Sequence, residues 1–398
     1  MWFIFVIVGF VLLVVCGLYA RNRISRALTE LGVRARRVRI VRWVVSWLVF
    51  VYPVMFVGTM LGSRFLGLPR IRFEGLASSY LLAIPWIVSA LVVLQAVPWL
   101  LAIDAGHLVA RRRLGAPRAA RLRALAGLIV IGAFALYTPI RIFVERGEVR
   151  MRHYEVTRGS APPLRIAFLA DIQQDVHTDA DRAREVYARV NAERPDLVLS
   201  GGDWINTGPD YIASAGEAAG TLRSRLGTFS VRGDHEHFAY GDRARSVGEG
   251  ERAMRAHGVD MVNNDVRWFE HQGKRIAVVF INYNYIARTD APTMASLLAR
   301  TAGADYTIAV THQLDDAMAD LLKDNVDLVL AAHTHGGQVN PVVGVVHVPL
   351  ARLETRFIDG RYRLSARTEV IVTAGVGMSV VPIRYAAPGS IEMIDLRL

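Results

Sequence analysis

The sequence predicts an α/β fold class, with an N-terminal region of four transmembrane helices followed by a soluble α/β domain. Four long apolar runs occupy the first 143 residues. After residue 163, short apolar runs alternate with amphipathic runs of helical period, which is the pattern of strands and helices in alternation. Several short runs end in aspartate or histidine. Because open α/β sheets bind ligands at the carboxyl ends of their strands, we expect any functional site in this second region.

The apolar runs are long enough to cross a bilayer, since a spanning helix needs about 20 apolar residues. The first run starts directly after Met1 and is followed by Arg21, so it lacks the basic start and the cleavage site of a signal peptide. No run has an acidic residue in its core, which favours an anchor over a transporter. The predicted spans are about 2–20, 43–62, 78–102 and 124–143, within an anchor of residues 1–143.

Charge is distributed unevenly along the chain. The 398 residues carry a net charge of +11, but residues 1–158 hold 22 Lys/Arg and only 6 Asp/Glu. Residues 159–398 hold 25 Lys/Arg and 30 Asp/Glu. A mildly acidic second region argues against a nucleic-acid partner. Cys16 is the only cysteine, so no intrachain disulfide is possible and the redox compartment cannot be read from the sequence.

The arginines between the spans predict the orientation of the anchor. Residues 21–42 hold eight arginines and residues 104–123 hold six, whereas residues 63–77 hold three. Basic loops remain in the cytoplasm. We therefore expect a multi-pass protein of the cell (inner) membrane whose second region is extracytoplasmic, although four arginines between 141 and 152 weaken the asymmetry.

The sequence of the second region predicts a connector, residues 144–163, followed by an α/β domain, residues 164–398. Apolar, β-branched runs indicate strands, and runs of helical period between them indicate helices. The predicted strands are 164–170, 196–200, 228–231, 275–281, 306–310 and 328–332, and the predicted helices are 179–193, 212–226 and 315–323.

Polar side chains follow five of these strands directly. They are carboxylates and imidazoles, which are ligands that suit Mn²⁺, Fe or Zn²⁺. Five such coincidences along one edge of a sheet are hard to explain as turn chemistry alone, although aspartate and glycine do favour turns. The strand-end residues are Asp171, Asp203, Asp234, His312 and His333.

The ordered motifs resemble the calcineurin-like metallophosphoesterases, in particular a small membrane-associated bacterial branch. The family order is Asp-x-His, Gly-Asp, Gly-Asn-His-Asp/Glu, a lone His, and Gly-His-x-His. The resemblance covers roughly residues 164–398 and implies a two-sheet α/β/β/α sandwich. The counterparts here are Asp171-Ile172-Gln173, Gly202-Asp203, Gly233-Asp234-His235-Glu236, Thr311-His312 and Ala332-His333-Thr334-His335.

By this resemblance the domain would hold two divalent metal ions. Asp203 would bridge them, and His235 would act on the leaving group. The first ion would be bound by Asp171, Gln173, Asp203 and His335, and the second by Asp203, Asp234, His312 and His333.

Three residues depart from the family pattern. Gln173 replaces a histidine, and its amide oxygen is a harder ligand than an imidazole. A manganese-dependent ADP-ribose and CDP-alcohol diphosphatase branch of the same superfamily also has Asp-Ile-Gln at this point. Asp234 replaces a neutral asparagine, and Ala332 replaces a glycine. The first two changes favour Mn²⁺ over Zn²⁺, and Fe remains an alternative.

The sequence therefore predicts a membrane-anchored phosphoesterase for a phosphorylated small molecule or lipid, with a metal-activated hydroxide as nucleophile. Two alternative hypotheses remain. Gln173 and Asp234 also suit a degenerate metal-binding or signalling domain without turnover. A transporter with a regulatory domain is the third. The sequence does not separate monoesterase from diesterase or pyrophosphatase, and it does not indicate the oligomeric state.

Overall fold

The computed structural model describes residues 2–68, 75–344, 346–379 and 381–398, with side chains from residue 8 onward. Arg70 and Arg72 of the second predicted loop lie outside the described residues. The chain divides into two compact units. The helical unit comprises Met1–Val144, Asn340–Val348 and Val380–Ala386, and the α/β unit comprises Glu145–Val339, Pro349–Ser379 and Ala387–Leu398.

Long helices form most of the helical unit. Four helical segments are long and apolar enough to cross a membrane, and each overlaps one of the predicted spans; the third is the continuous segment Leu76–Leu114. The left-handed Gly67, with φ of 64°, caps the second helix. The helices are α1 (Trp2–Glu30), α2 (Ala35–Leu66), the short α3 (Leu76–Ser78) with a π turn (Ser79–Ala83), α4 (Ile84–Leu114) and α5 (Ala116–Gly147).

A polar cluster joins helices of this unit near the two arginine-rich connections. The Arg23 guanidinium is buried and its Nε lies 3.0 Å from Asp104 Oδ1. The Tyr19 hydroxyl donates to Asp104 Oδ2 at 2.8 Å. A buried charge that is paired and hydrogen-bonded avoids most of the cost of desolvation. Asp104 therefore has a structural partner, and it lies just beyond the predicted span 78–102.

Fourteen strands lie in the part of the chain that the structure describes. Nearly all belong to the α/β unit, and only the tenth and eleventh belong to the helical unit. They are β1 (Val149–Thr157), β2 (Leu164–Leu169), β3 (Leu197–Ser200), β4 (Thr228–Ser230), β5 (Val259–Met261), β6 (Asp265–His271), β7 (Lys274–Ile281), β8 (Tyr306–Thr311), β9 (Leu328–Ala331), β10 (Val342–Val343), β11 (Val346–His347), β12 (Gly360–Arg363), β13 (Glu369–Val372) and β14 (Gly389–Arg397).

Two six-stranded sheets organise the α/β unit. The first has the order β1-β14-β2-β3-β4-β5, and the second has the order β12-β13-β9-β8-β7-β6. Strands β2, β3, β4 and β5 are mutually parallel, as are β7, β8, β9 and β13. The carboxyl ends of parallel neighbours meet at one edge, which brings the loops after them together.

Five helices of the α/β unit cover the outer faces of the sheets. Aspartates at the N-caps of four of them accept backbone N–H groups of the first turn, which stabilises their starts. The helices are α6 (Ala180–Ala192), α7 (Ile212–Ala219), α8 (Arg243–Ala256), α9 (Ala291–Ala299) and α10 (Asp316–Leu322).

Three buried apolar clusters separate the helix and sheet layers of the α/β unit. The middle one combines Phe168 and Leu199 of the first sheet with Val278 and Leu330 of the second, so the sheets pack face to face. The other two clusters lie between each sheet and its helices. This arrangement confirms the predicted two-sheet α/β/β/α sandwich after an N-terminal helical region.

Helices α8 and α9 and strands β5 and β6 were not predicted, and two further elements differ from the sequence-based expectation. The predicted helix 212–226 ends at Ala219, because Gly220 follows and residues 221–227 turn back toward β4. Strand β1 lies within residues 144–163, which we expected to be a connector, and it pairs in parallel with β14. It lies at the end of the strand order and is therefore an edge strand of the first sheet, with Val149 and Val156 buried. The boundaries of the anchor, the connector and the catalytic domain remain predictions.

Candidate metal centre

The predicted ligands lie in loops at the carboxyl ends of parallel strands. Asp171 follows β2, Asp203 follows β3 and Asp234 follows β4 in the first sheet. His312 follows β8 and His333 follows β9 in the second sheet. Because the two sheets pack face to face, their loops converge at one edge of the sandwich.

One group of side chains is formed by Asp234, His312 and His333. Their ligand atoms lie within 4.8 Å of one another. His333 Nδ1 is 3.0 Å from Asp234 Oδ2 and 3.1 Å from His312 Nε2. The His312 Nδ1–H donates to the Gly201 carbonyl at 2.7 Å, which directs Nε2 toward the carboxylates. The group contains three of the four ligands predicted for the second ion.

A second group is formed by Asp171, Asp203 and His312, all buried. His312 Nε2 lies 3.5 Å from Asp203 Oδ2, so His312 links the two groups. The Gln173 amide nitrogen donates to Asp203 Oδ2 at 2.7 Å. His335 is also buried, but it belongs to neither group among the described residues. Gln173 and His335 therefore remain predicted ligands.

Two buried oxygens fit a metal ion directly. Asp171 Oδ1 and Gln173 Oε1 have no hydrogen-bond partner among the described residues, although both side chains are fully buried. A buried oxygen without a partner costs about 1–3 kcal/mol, so such atoms are rare unless something else satisfies them. Hard carboxylate and amide oxygens beside imidazoles form a suitable donor set for a divalent cation. The residues present therefore fit a metal centre.

Backbone strain is concentrated at the same residues. Five predicted ligands have positive φ angles, a conformation that costs residues other than glycine of order 1 kcal/mol or more. Such strain persists where the surrounding structure imposes it, commonly at functional sites. The five are Asp171 (51°), Gln173 (52°), Asp203 (57°), His333 (76°) and His335 (51°).

Gly233 and Glu236 hold the loops around Asp203. A Cβ on Gly233 would lie 2.0 Å from Asp203 Oδ1, so only glycine fits there. The buried Glu236 carboxylate accepts the backbone N–H groups of Asp203 at 3.0 Å, Trp204 at 2.7 Å and Gly233 at 2.6 Å. The sequence motif contains Glu236, but its role as a loop clamp emerges only from the structure.

The carboxylates need a compensating positive charge. Burial raises the pKa of Asp171 to about 6 and that of Asp203 to about 8, since an ionised carboxylate loses hydration inside the protein. Burial also opposes ionisation of Asp234, but hydrogen bonds from His312 and His333 lower its pKa. For His312, the carboxylates outweigh burial and raise its pKa. A divalent cation would stabilise all of these ionised carboxylates at once.

His235 has a defined ring orientation. Its Nδ1 lies 2.5 Å from the Asn206 carbonyl oxygen, which can only accept, so Nδ1 carries the proton. Its Nε2 lies 3.3 Å from Ser379 Oγ and 4.0 Å from Asp203 Oδ2. Burial lowers the pKa of His235. Its Nε2 thus faces the carboxylates without belonging to either ligand group.

Glu354 is a residue of the site that sequence reasoning missed. Its Oε1 lies 3.2 Å from His333 Nε2 and accepts from Gln313 Nε2 at 2.9 Å. The Tyr285 hydroxyl also donates to it. Burial, and then the charge of Asp234, raise its pKa to about 7. No motif includes Glu354, since it follows a 3-10 turn (Leu350–Leu353) and lies 21 residues beyond His333.

Comparison with known proteins identifies the domain. Residues 164–337 match the family model described as calcineurin-like phosphoesterase. An uncharacterized metallophosphoesterase of Campylobacter jejuni is 27% identical over 275 residues, which cover 68% of this chain and 68% of the relative. A zebrafish (Danio rerio) transmembrane protein with metallophosphoesterase domain is 26% identical, over 59% of this chain and 53% of the relative.

The Escherichia coli protein named phosphodiesterase YaeI is 24% identical, over 60% of this chain and 84% of that protein. The match thus extends over about half to four-fifths of the length of these relatives. The family model begins at the first residue of β2 and ends just beyond His335, so it includes every predicted ligand. Residues 164–337 therefore match the calcineurin-like phosphoesterase family, in agreement with the resemblance that the sequence motifs indicate.

Proposed function

We propose that this protein is a membrane-anchored phosphoesterase that uses two divalent metal ions to hydrolyse a phosphate ester or pyrophosphate. The observation that carries the proposal is the convergence of two largely buried ligand groups that share His312. The unpartnered oxygens of Asp171 and Gln173 lie in the same cluster. A family domain with this donor set is better suited to turnover than a degenerate fold that has lost its ligands.

The ligand assignment follows the family order. Asp171, Gln173, Asp203 and His335 would hold the first ion, and Asp203, Asp234, His312 and His333 the second. The hydrogen bond from Gln173 to Asp203 and the pairing of His333 with Asp234 support this assignment. Asp203 is the carboxylate closest in role to a bridge, since it neighbours Gln173 on one side and His312 on the other.

The chemistry divides between the ions and the chain. Bound divalent ions supply a water-derived hydroxide and neutralise charge on phosphate oxygens. His235 keeps its Nδ1 proton against Asn206, so it would act as an acid in its doubly protonated form and pass the Nε2 proton to the leaving oxygen. Glu236 keeps the Asp203 and Gly233 loops in place while this occurs.

Mn²⁺ is the metal that we propose, with Fe or Zn²⁺ as alternatives. Gln173 supplies an amide oxygen where the family pattern has an imidazole, and Asp234 supplies a carboxylate where the pattern has an asparagine. Both changes replace a softer or neutral donor with a harder or charged oxygen, which suits Mn²⁺ better than Zn²⁺.

The helical unit supports a membrane location and a substrate of the cell envelope. Four helices could span a membrane. With arginine-rich segments 21–42 and 104–123 in the cytoplasm, the α/β unit would be extracytoplasmic at the cell (inner) membrane. A phosphorylated lipid or other envelope molecule is then the natural substrate. One relative is named a phosphodiesterase, which supports including diesters among the substrates to be tested.

A metal-by-substrate panel tests the proposal. The full chain, purified in detergent and treated with a chelator, is assayed on phosphate monoesters, diesters and pyrophosphates after Mn²⁺, Fe²⁺ or Zn²⁺ is added singly. We expect hydrolysis that depends on added metal and is greatest with Mn²⁺. Stoichiometric metal binding without hydrolysis of any ester would favour the degenerate binding domain instead.

A further inference from the structure

The hairpin formed by β10 and β11 is unusually apolar for an exposed element. Val342 pairs with His347 and Val343 pairs with Val346. The side chains of Val343, Val346 and Val348 are 39%, 60% and 42% exposed. We call this element, Val342–Val343 with Val346–Val348, the valine hairpin.

Its lack of charged residues is unusual for a surface that faces water. Between Gly337 and Ala351 the chain has no Asp, Glu, Lys or Arg. Exposed strand pairs in soluble proteins usually carry charges on their edges, because bare apolar edges aggregate. An exposed apolar patch of this kind indicates an apolar partner.

The helical unit itself indicates what that partner is. Strand β10 packs against α4, one of the four helices that could span a membrane. The loop that contains Tyr385 belongs to the same unit and also contacts these helices. The Tyr385 hydroxyl donates to Gln95 Oε1 at 2.5 Å. Gln95 lies inside the predicted span 78–102, and its Nε2 donates to Thr138 Oγ1 at 3.0 Å. Both loops are therefore held against residues of the apolar helices.

We propose that the valine hairpin is a docking surface for the lipid bilayer, and that the substrate is a phosphate ester whose lipid part remains in that bilayer. The substrate class rests on the proposed phosphoesterase function. The hairpin is close to the candidate site along the chain, because only six residues separate His335 from Val342. An extended chain of this length spans at most about 25 Å, which is less than the thickness of a bilayer.

The position of the hairpin is tested by fluorescence quenching in nanodiscs. Because Cys16 is the only cysteine, Cys16→Ser provides a background for one environment-sensitive thiol label. The label is attached at Val346→Cys, or at Val348→Cys as an independent second site. Asp181→Cys is the matched control, since the Asp181 side chain is 89% exposed on α6 of the other unit.

We expect nitroxide-bearing lipids to quench most of the fluorescence at Val346 and Val348 but little at Asp181, and we expect aqueous iodide to show the reverse. Iodide quenching at both hairpin sites equal to that at Asp181 would overturn bilayer docking. The quenching measurement does not require hydrolysis, so its result is independent of whether the proposed phosphoesterase function is correct.

The substrate class is tested with two phosphodiester probes on the Mn²⁺-loaded full chain. One is a nitrophenyl ester of phosphatidic acid in the nanodisc, and the other is soluble bis-nitrophenyl phosphate. For Val343→Ser/Val346→Ser we expect the ratio of lipid-probe to soluble-probe rates to fall about tenfold, since apolar surface buried in lipid is lost. An unchanged ratio, or wild-type hydrolysis of the soluble probe alone, would overturn the lipid assignment. Hydrolysis of neither probe, with the hairpin quenched by lipid, would instead count against the phosphoesterase function.

Discussion

The ring of His235 is oriented by the backbone carbonyl of Asn206, whose oxygen lies 2.5 Å from Nδ1. The two residues come from loops after different strands, β4 and β3, so the contact depends on the sheet that aligns them. The consequence is that Nε2 is the ring atom available to a substrate.

Replacement of His235 by alanine should therefore retain the metals and slow the reaction by about 10²–10⁴-fold on alkyl esters. A nitrophenyl ester should lose much less activity, because its leaving group hardly needs a proton. The comparison is kcat on both esters together with metal content. Equal losses on the two esters would point to a positioning or charge-stabilising role, and loss of a metal would make His235 a ligand.

Replacement of Asp203 by alanine should abolish turnover and lower the metal content. Asp203 lies 2.7 Å from Gln173 and 3.5 Å from His312, which belongs to both ligand groups, so its removal should disturb both. Metal content measured on the purified full chain is the primary readout, and Asp181→Ala on the exposed face of α6 is the matched control. Wild-type activity with both metals bound would show that Asp203 is not the bridge.

Glu354 should act as a positioning residue for His333. A carboxylate that accepts from the second ring nitrogen of a metal-binding histidine fixes its orientation and raises its basicity. We expect Glu354→Gln to weaken Mn²⁺ binding about 10–100-fold, measured by titration of the chelator-treated protein. The exposed Glu270→Gln on β6 is the control. If the two variants bind Mn²⁺ equally well, Glu354 does not serve the metal centre.

Glu392 should make the stability of the chain depend on pH. It is fully buried in β14, and burial raises its pKa to about 7 even though Arg152 Nε, 3.4 Å away, opposes the shift. A carboxyl group whose pKa is raised on folding prefers its neutral form in the fold. The neutral Glu392 side chain therefore stabilises the fold fully below its ordinary pKa of 4.5. This stabilisation is lost as the pH rises toward 7.

The difference in unfolding free energy between wild type and Glu392→Gln, followed in chelator, should therefore change between pH 4.5 and about 7. The shift sets an upper limit on the order of 3 kcal/mol for this change. A difference that is constant across this window would mean that Glu392 keeps the same ionisation state in the folded and unfolded chain.

The orientation of the anchor is tested by reporter fusions. The 14 arginines of segments 21–42 and 104–123 should keep those segments in the cytoplasm. A reporter fused after Leu398 should then behave as extracytoplasmic, whereas one inserted after Gly115, between α4 and α5, should behave as cytoplasmic. Cytoplasmic activity at Leu398 would overturn the topology and the proposal of an envelope substrate.

Local patterns in the sequence were sufficient to predict the long apolar helices and several of the strands. The apolar runs identify the four long helices, because a helix in lipid needs a continuous apolar length. Short β-branched runs identify β2, β3, β8 and β9 to within a residue or two, because strands buried on both faces are apolar throughout. The residues after these strands identified the candidate ligands, since parallel strands place such residues at one edge.

Only the tertiary structure decided the contacts between distant segments. Strand β1 was missed because its edge position, and not its composition alone, makes it a strand beside β14. Glu354 was missed because it reaches His333 from a turn that no motif marks. The positive φ angles of Asp171 and His333 likewise exist only because the packed sheets impose them. Periodicity and strand ends are local properties of a chain, whereas the strain and hydrogen bonds of a site arise from residues that meet only in the folded state.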